Sequence, residues 1–538
     1  MPDASRDRAE ASDRAAWRRH LPHEDVDRVV SGLGTGSLHG AAAATASERP
    51  DAPALLFPAE SDRWIAHGEL LDRAARTAGW LVENGLQPGN RVLLCGRNAS
   101  ATVIAYLAAL RSGATVVLAD PELTAAELVH LVDDSGADWA LAAASVVEAL
   151  RRERPERHLV SLDEPLPESG PAEVAVTDLA MLAYTSGTTG APKGVELTHG
   201  NLLASIRAAM AAWRWRPDDV LVHCLPLSHQ HGLGGVHATL IAGSSAVILP
   251  KFDPAALIEA IRAHRASVLF AVPAIYERLA GASGADALAA HLRLAVSGSA
   301  PLPPELAGRI ADIAGAPPLE RYGSTESGLD VSNPLDGERV PGTVGFPLPG
   351  VELRIVDDAG AEAAPGEDGE ILLRGPQVFA RYWNAPEATE AAFADGWFRT
   401  GDIGRVDGDT GHLSITGRKK ELVITGGMNV YPREVETALE KHPSVAEAAV
   451  AGVPSDEWGE EVTAWIVPRE SFDPEQLLEH ARSLLAPYKC PKRLRAAHAL
   501  PRNDMGKIQR SALVAETQPP DSAGLERAIA KLWKADLS

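Results

Sequence analysis

From about Ala54 onward, short apolar runs alternate with helical patterns. Arg91-Val-Leu-Leu-Cys95 predicts a buried strand, residues 101–110 a helix that Gly113 stops, and Ala114-Thr-Val-Val-Leu118 the next strand. Val268-Leu-Phe-Ala-Val272 and the run 292–296 continue the series. Such alternation predicts a parallel or mixed α/β sheet with covering helices. After about Gly342 the texture changes. Residues 351–356 and 370–374 predict short strands between Gly-, Pro- and Asp-rich turns, a β-rich portion appended to the α/β region. The charged turn Gly417-Arg-Lys-Lys420 then opens a small α+β unit. It has expected strands at 422–424, 446–450 and 462–467 and helices from Pro432 to about Lys441 and over 474–485. The expected organisation is an α/β fold: a leader without structure at 1–25, a large N-terminal domain at 26–417, a small C-terminal α+β domain at 418–514, and a linker with a terminal helix at 515–538. Leu525, Ile529, Leu532 and Trp533 fall on one face of that last helix. No internal repeat is apparent.

Composition narrows the function classes. A chain of 538 residues is too long for one core, so two or more domains are expected. Acidic residues outnumber basic ones by 73 to 51, a net charge of −22, which argues against a nucleic-acid partner. Cys95, Cys224 and Cys490 are far apart and outside any C-x-x-C spacing, so neither a disulfide framework nor a zinc site is expected. No apolar run approaches the ~18 residues that span a bilayer, and residues 1–20 lack an apolar signal core. A cytoplasmic enzyme with no membrane partner is the expectation.

One string carries the decisive chemistry: Leu182-Ala-Tyr-Thr-Ser-Gly-Thr-Thr-Gly-Ala-Pro-Lys-Gly194. It follows an apolar strand and precedes a helix starting near Thr198, with Leu202, Ile206, Met210 and Trp213 on one face. Thr185, Ser186, Thr188 and Thr189 supply hydroxyls, Gly187, Gly190 and Gly194 let a ligand approach the backbone, and Lys193 supplies a compact charge. It is not the nucleotide P-loop, because Pro192 precedes the lysine and Gly194 follows it. Its composition alone also suits a solvated loop. The whole string resembles the signature loop of the adenylate-forming superfamily of acyl-CoA synthetases, peptide-synthetase adenylation domains and luciferases. Four further strings stand in the order that family uses. Gly298-Ser-Ala-Pro-Leu-Pro303, with Gly298, Ser299, Ala300 and Pro301, resembles the adenine-pocket segment. Arg321-Tyr-Gly-Ser-Thr-Glu326, Trp397-Phe-Arg-Thr-Gly-Asp402 and Pro501-Arg-Asn-Asp-Met-Gly-Lys507 resemble the phosphate-bridging, ribose-binding and catalytic-lysine segments. The resemblance covers roughly Ala54 to Ala512.

The resemblance implies ATP, Mg²⁺ and coenzyme A, and a small domain that rotates between two half-reactions. Tyr322, beside Gly323, would stack on adenine. Thr325 would donate to a phosphate and Glu326 would bind Mg²⁺. Asp402 and Arg418 would hold the ribose, and Lys507 would offset charge where carboxylate meets phosphate. Lys420 matches the hinge position and Gly427 the pantetheine path. Plainer readings exist for five of these: Tyr322 as a core tyrosine, Glu326 as a surface acid, Arg418 as a salt bridge, Gly426-Gly427 as a tight turn, and Lys507 as a solvated lysine. A catalytically inactive ATP-binding protein is the alternative of another class, and intact Lys193, Glu326 and Lys507 argue against it.

The acid is addressed by Arg321. Glu320-Arg-Tyr-Gly323, the stretch Ser332 to Gly345, and Leu500 to Lys507 resemble the malonyl-CoA synthetase branch. There the arginine holds the far carboxylate of malonate or a substituted malonate. The alternative pairs Arg321 with Glu320 or another protein acid. Ser324, Gly328, Leu329, Asp330 and Ser228 depart from that branch near the acyl pocket. Another acid, a carrier protein as acceptor, or nitrite activation of the diazotase type therefore remain alternatives. The phrase Leu525 to Trp533 looks like the opening helix of a carrier-protein domain, with no phosphopantetheine serine after it. His223, His229, His231 and His237 cluster without a metal-binding spacing, and His229 matches the family position that lines the acyl pocket.

Overall fold

The computed structural model describes residues 13–175, 178–185, 192–425, 428–455, 458–503 and 506–517. Its first sheet has six strands, in the order His158–Ser161, Trp139–Ala142, Arg91–Cys95, Thr115–Leu118, Leu179–Thr185 and Lys193–Thr198. The pairs are parallel until the last, where Leu179–Thr185 and Lys193–Thr198 run antiparallel and bring Thr185 opposite Lys193. The second sheet has nine strands. Its central run is Leu319–Tyr322, Leu294–Ser297, Val268–Ala271, Val220–His223, Ser245–Ile248 and Pro53–Leu56, all parallel. Val268–Ala271 and Leu294–Ser297 are buried at every position, as expected of parallel strands covered on both faces.

Local chemistry sets the element ends. The helix predicted near Thr198 runs His199–Ala212. Thr198 Oγ1 accepts from the Asn201 N–H at 3.0 Å, and Asn201 Oδ1 accepts from the Thr198 N–H at 2.9 Å. That reciprocal pair satisfies two donors that a helix start would otherwise leave bare. The helix predicted at 101–110 runs Ser100–Arg111, and Gly113 follows it at φ 72°.

Two compact units divide the chain. The first takes the described residues up to Arg354, with Leu372–Thr400 and Asp407–Ser414. The second takes Ile355–Ile371, Gly401–Val406 and the described residues from Ile415. The chain therefore crosses the division several times rather than once after residue 417. Part of the expected unstructured leader is also ordered: residues 13–20 are helical. Trp17 and Leu21 are buried, and Trp17 Nε1–H donates to the Val351 carbonyl at 2.9 Å. An indole that buries its ring and satisfies its one donor outweighs the polar residues around it.

The second unit contains the α+β arrangement. Val423–Thr425, Met428–Val430, Val445–Ser455 and Gly459–Pro468 pair antiparallel, with Arg493–Ala496 parallel to Gly459–Pro468. Helices Pro432–Glu440 and Pro474–Leu484 contribute Val435, Leu439, Leu477 and Ala481 to its core, beside Val450 and Ile466. The buried Glu436 accepts from Arg510 Nη2 at 2.7 Å and from the Val450 N–H at 2.9 Å, so its charge is paired. Among the described residues no helix is long and apolar enough to cross a membrane.

Candidate active site

In the first unit, polar side chains gather where parallel strands of the nine-stranded sheet end. His223 lies in register with Phe270, Ala271 with Ser297, and Ser297 with Glu320, one residue before Arg321. The carboxyl edge of such a sheet is where open α/β folds bind ligands. Several buried atoms here lack a hydrogen-bond partner: Arg321 Nε, His231 Nε2, Ser297 Oγ and both ring nitrogens of His223. Unsatisfied buried polar groups are rare unless a ligand or water completes them.

Arg321 is 8% exposed. Burial lowers its pKa to about 10, opposed by the Asp330 carboxylate, so it stays cationic at neutral pH. Adjacent residues of a strand point to opposite faces, which separates Arg321 from Glu320. Glu320 Oε1 instead accepts from the Gly342 N–H at 3.1 Å. Gly298 is required beside the guanidinium: a Cβ there would lie 2.3 Å from Arg321 Nε and 2.5 Å from Cζ. Next in the chain, Ser299 has φ 69°, and its hydroxyl lies 3.1 Å from His231 Nδ1. Burial, then the Arg321 charge and two neighbouring histidines, hold the His231 pKa well below its usual value. Ala300 is partly exposed and Pro301 exposed.

The segment after Arg321 turns sharply. Tyr322 is buried to 9% exposure, and a Cβ on Gly323 would lie 1.9 Å from the Gly328 carbonyl oxygen. Ser324 Oγ lies 2.9 Å from Ser327 Oγ, which donates to Asp330 Oδ2 at 2.5 Å. Gln377 Nε2 donates to the other Asp330 oxygen at 3.2 Å. Thr325 and Glu326 are partly exposed. Glu326 Oε1 accepts from the Tyr382 hydroxyl at 3.0 Å, and its second oxygen accepts nothing among the described residues. A hard carboxylate oxygen left in this way fits a magnesium ion. Lys193 Nζ lies 5.5 Å from the Tyr382 ring centroid. Of the signature loop, Thr185 and Lys193 are described; Ser186, Gly187, Thr188, Thr189 and Gly190 lie outside the described residues.

The four histidines serve different neighbours. His229 starts the helix Gln230–Ala242, with Nε2 3.8 Å from Asp120 Oδ2. Ser228 Oγ donates to that same oxygen at 2.7 Å. His237 Nε2 lies 2.9 Å from the Tyr106 hydroxyl, away from the Arg321 group. His231 meets Ser299 and feels Arg321. Among the described residues no three His, Cys, Asp or Glu side chains are arranged to hold a metal. Tyr382 and Asp120 escaped the sequence reading. Asp120 follows the strand Thr115–Leu118 by two residues, and an acid at the carboxyl end of a parallel strand was a usable signal.

In the second unit Arg418 Nε and Asp402 Oδ1 form an ion pair at 2.8 Å, with Asp402 buried. The salt bridge thus exists, between the two residues expected to share the ribose. Lys420 is exposed in the short turn Lys419–Glu421. Lys507 is exposed in a turn closed by Asn503: its N–H donates to Asn503 Oδ1 at 2.9 Å, and its carbonyl accepts from the Asn503 N–H at 2.9 Å. Gly506 makes that turn at φ 74°. Gly427 and residues 518–538, which hold most of the expected linker and its helix, lie outside the described residues.

Comparison with known proteins places this arrangement. Residues 42–383 match the AMP-binding enzyme family, and residues 434–507 match the AMP-binding enzyme C-terminal domain. The mitochondrial malonate–CoA ligase of Homo sapiens is 38% identical over 478 residues, 79% of this chain and 82% of that protein. A feruloyl-CoA synthase of Amycolatopsis sp is 36% identical over 458 residues, 82% of this chain and 92% of that one. Among solved structures, ATP-bound MatB of Rhodopseudomonas palustris is 37% identical with a TM-score of 0.83, covering 89% of this chain and 99% of that one. The o-succinylbenzoate CoA synthetase of Bacillus subtilis with ATP and magnesium is 29% identical with a TM-score of 0.79, covering 88% and 98%. With both family models matched in order, the chain belongs to the AMP-binding enzymes and is an acyl-CoA synthetase of the adenylate-forming superfamily.

Proposed function

We propose that the chain activates a short dicarboxylic acid, malonate or a substituted malonate, with ATP and passes the acyl group to coenzyme A. The observation that carries this reading is Arg321, a buried guanidinium with an unpartnered Nε. Burying a second carboxylate without a fixed cation would cost several kcal/mol. The likeness to malonate–CoA ligase and to MatB supports the same class of acid. In this reading one carboxylate oxygen attacks the α-phosphorus and pyrophosphate leaves. A thiolate then attacks the carbonyl of the mixed anhydride and AMP leaves. Tyr322 faces adenine, with Gly298 to Pro301 lining its pocket. Thr185 to Lys193 and Thr325 hold phosphates, and Glu326 binds Mg²⁺. Asp402 and Arg418 take the ribose hydroxyls. Lys507 offsets charge in the first step, Lys420 serves as hinge and Gly427 lines the pantetheine path of the second. His229 and Ser324 line the acid pocket with Arg321. Reduced Cys95, Cys224 and Cys490 suit a cytoplasmic setting.

A second reading, in which the same machinery takes a differently substituted acid or another acceptor, draws on the hydroxyls. Ser228 on Asp120, and Ser324 linked to Ser327, place polar atoms at positions expected to line the acyl pocket. One experiment separates the readings: pyrophosphate release across a panel of mono- and diacids and nitrite, with coenzyme A, with a carrier protein, and with neither. Release driven by short diacids and thioester formed only with coenzyme A is the expected result. Indifference to every short diacid would leave only the adenylate-forming class.

A further inference from the structure

We propose that Tyr382 is a positioning residue that holds Lys193 and Glu326 apart, so that both charges stay available to a metal–polyphosphate. It rests on the assignment of Glu326 to the metal and Lys193 to phosphate. Three separate chain segments converge here. The Tyr382 hydroxyl donates to Glu326 Oε1 at 3.0 Å, while Lys193 Nζ lies 5.5 Å from the centroid of the same ring. Among the described residues each of the two charges meets Tyr382, with no ion pair between them. A tyrosine can satisfy a carboxylate with its O–H and an ammonium with its negative ring face at once. A flexible lysine beside a partly exposed carboxylate would otherwise close a direct pair, and both charges would be lost to a ligand. A divalent cation on a polyphosphate presents the complementary set: metal charge for the carboxylate and anionic oxygens for the ammonium.

The ring is fixed on both sides. The Trp383 N–H donates to the Gly194 carbonyl at 2.7 Å and the Glu196 N–H to the Arg381 carbonyl at 3.2 Å, tying the segment to the strand that carries Lys193. The Phe379 N–H donates to the Glu326 carbonyl at 2.8 Å, and the Phe379 ring meets Tyr382 edge-on at 4.8 Å. The spacing between cation and carboxylate is thus set by backbone hydrogen bonds and a packed ring. Outer partners of this kind orient a metal ligand and tune its affinity.

The test measures binding of the non-hydrolysable α,β-methylene ATP to the full-length protein by calorimetry, with Mg²⁺ and with EDTA. The ratio of the two affinities is the metal increment. Y382F keeps the ring and removes the oxygen, so it is expected to fold with a near-normal melting temperature. Its metal increment should fall by about 10-fold, with the EDTA affinity little changed. Y382L, which removes the spacer as well, should weaken binding in both conditions because Lys193 is drawn to Glu326. The control E326Q should lose the increment entirely. If E326Q loses it while Y382F and Y382L keep it, Tyr382 is mere packing and the proposal fails alone. If E326Q retains it, Glu326 is not the metal ligand, and that assignment fails together with the proposal.

Discussion

The group around Arg321 and the turn that carries Lys507 place a cation in opposite ways. Arg321 is 8% exposed, seated on Gly298, with Nε unpartnered and a neutral His231 beside it. Lys507 is exposed and takes its position from backbone bonds to Asn503. A desolvated cation in a rigid sheet has already lost its water, so a matching anion gains strongly and a wrong one leaves the charge bare. An exposed lysine discriminates little, yet it can be delivered and withdrawn without leaving a buried charge behind. Under the proposed function, the difference gives selectivity to the sheet and the charge needed for one chemical step to the turn.

The largest expected effect breaks the first half of that comparison. Arg321→Leu should lower kcat/KM for a short diacid by about 10³-fold, since an unpaired buried carboxylate costs several kcal/mol. A monoacid of similar length should change far less. Arg321→Lys should recover only part, because an ammonium cannot reproduce the guanidinium fork. Steady-state kinetics on both acids decide it, and full diacid activity in the leucine variant would remove Arg321 from the site. On the other side, Lys507→Ala should lower pyrophosphate release by roughly 10²-fold. Thioester formation from a preformed acyl-adenylate should stay within a few-fold of wild type. Equal loss in both assays would show that Lys507 is not confined to one step.

Burial in the first unit also predicts an acid-labile fold. The rings of His20, His39 and His223 have pKa values lowered by burial from 6.5 to about 4, and that of His237 to about 3. These groups are neutral when folded but take up protons when unfolded below 6.5, so the unfolded state binds more protons and stability drops as the pH is lowered. The loss runs from 6.5 down towards 4, at about 1.4 kcal/mol per pH unit for each histidine. Denaturant midpoints measured across that window should fall steadily. A midpoint that holds flat would mean these rings are hydrated or paired in the folded state.

What was legible in the sequence follows the same line between local and assembled features. Arg91–Cys95 was readable end to end because a continuous apolar run needs no partner to declare itself. The strand predicted at 446–450 runs Val445–Ser455, because its hairpin with Gly459–Pro468 carries pairing beyond the apolar part. The five strings announced the family, since each is a contiguous stretch of chain. Tyr382 was not announced: Arg-Tyr-Trp-Asn has no chemistry of its own until the chain brings Glu326 and Lys193 to it. The contacts of His231 were hidden for a similar reason, because only the assembled sheet brings it to Ser299 and Arg321. Trp17 outweighed a polar leader through one contact with residue 351, which composition cannot see.

The smallest expected effect sharpens how the acid pocket discriminates. Asp330 is buried, and its two oxygens accept from the Ser327 hydroxyl and from Gln377 Nε2. The single Ser327 hydroxyl proton is therefore spent on Asp330. Ser327 Oγ can only accept from Ser324, 2.9 Å away, which spends the Ser324 proton in turn. The direction of the chain leaves Ser324 Oγ with lone pairs alone, an acceptor for whatever lies beside it. If Ser324 lines the acid pocket as proposed, a diacid with a hydroxyl or amino group between its carboxylates should be favoured over plain malonate. One neutral hydrogen bond of about 1 kcal/mol corresponds to roughly five-fold in kcat/KM. Ser324→Ala should erase that preference while leaving activity on malonate within about two-fold. Ser327→Ala should weaken it by releasing the Ser324 proton to point inward. The measurement is the ratio of kcat/KM for hydroxymalonate to malonate in the three proteins. A ratio below one in wild type, or one that Ser324→Ala leaves unchanged, would show that this hydroxyl chain holds the loop and takes no part in choosing the acid.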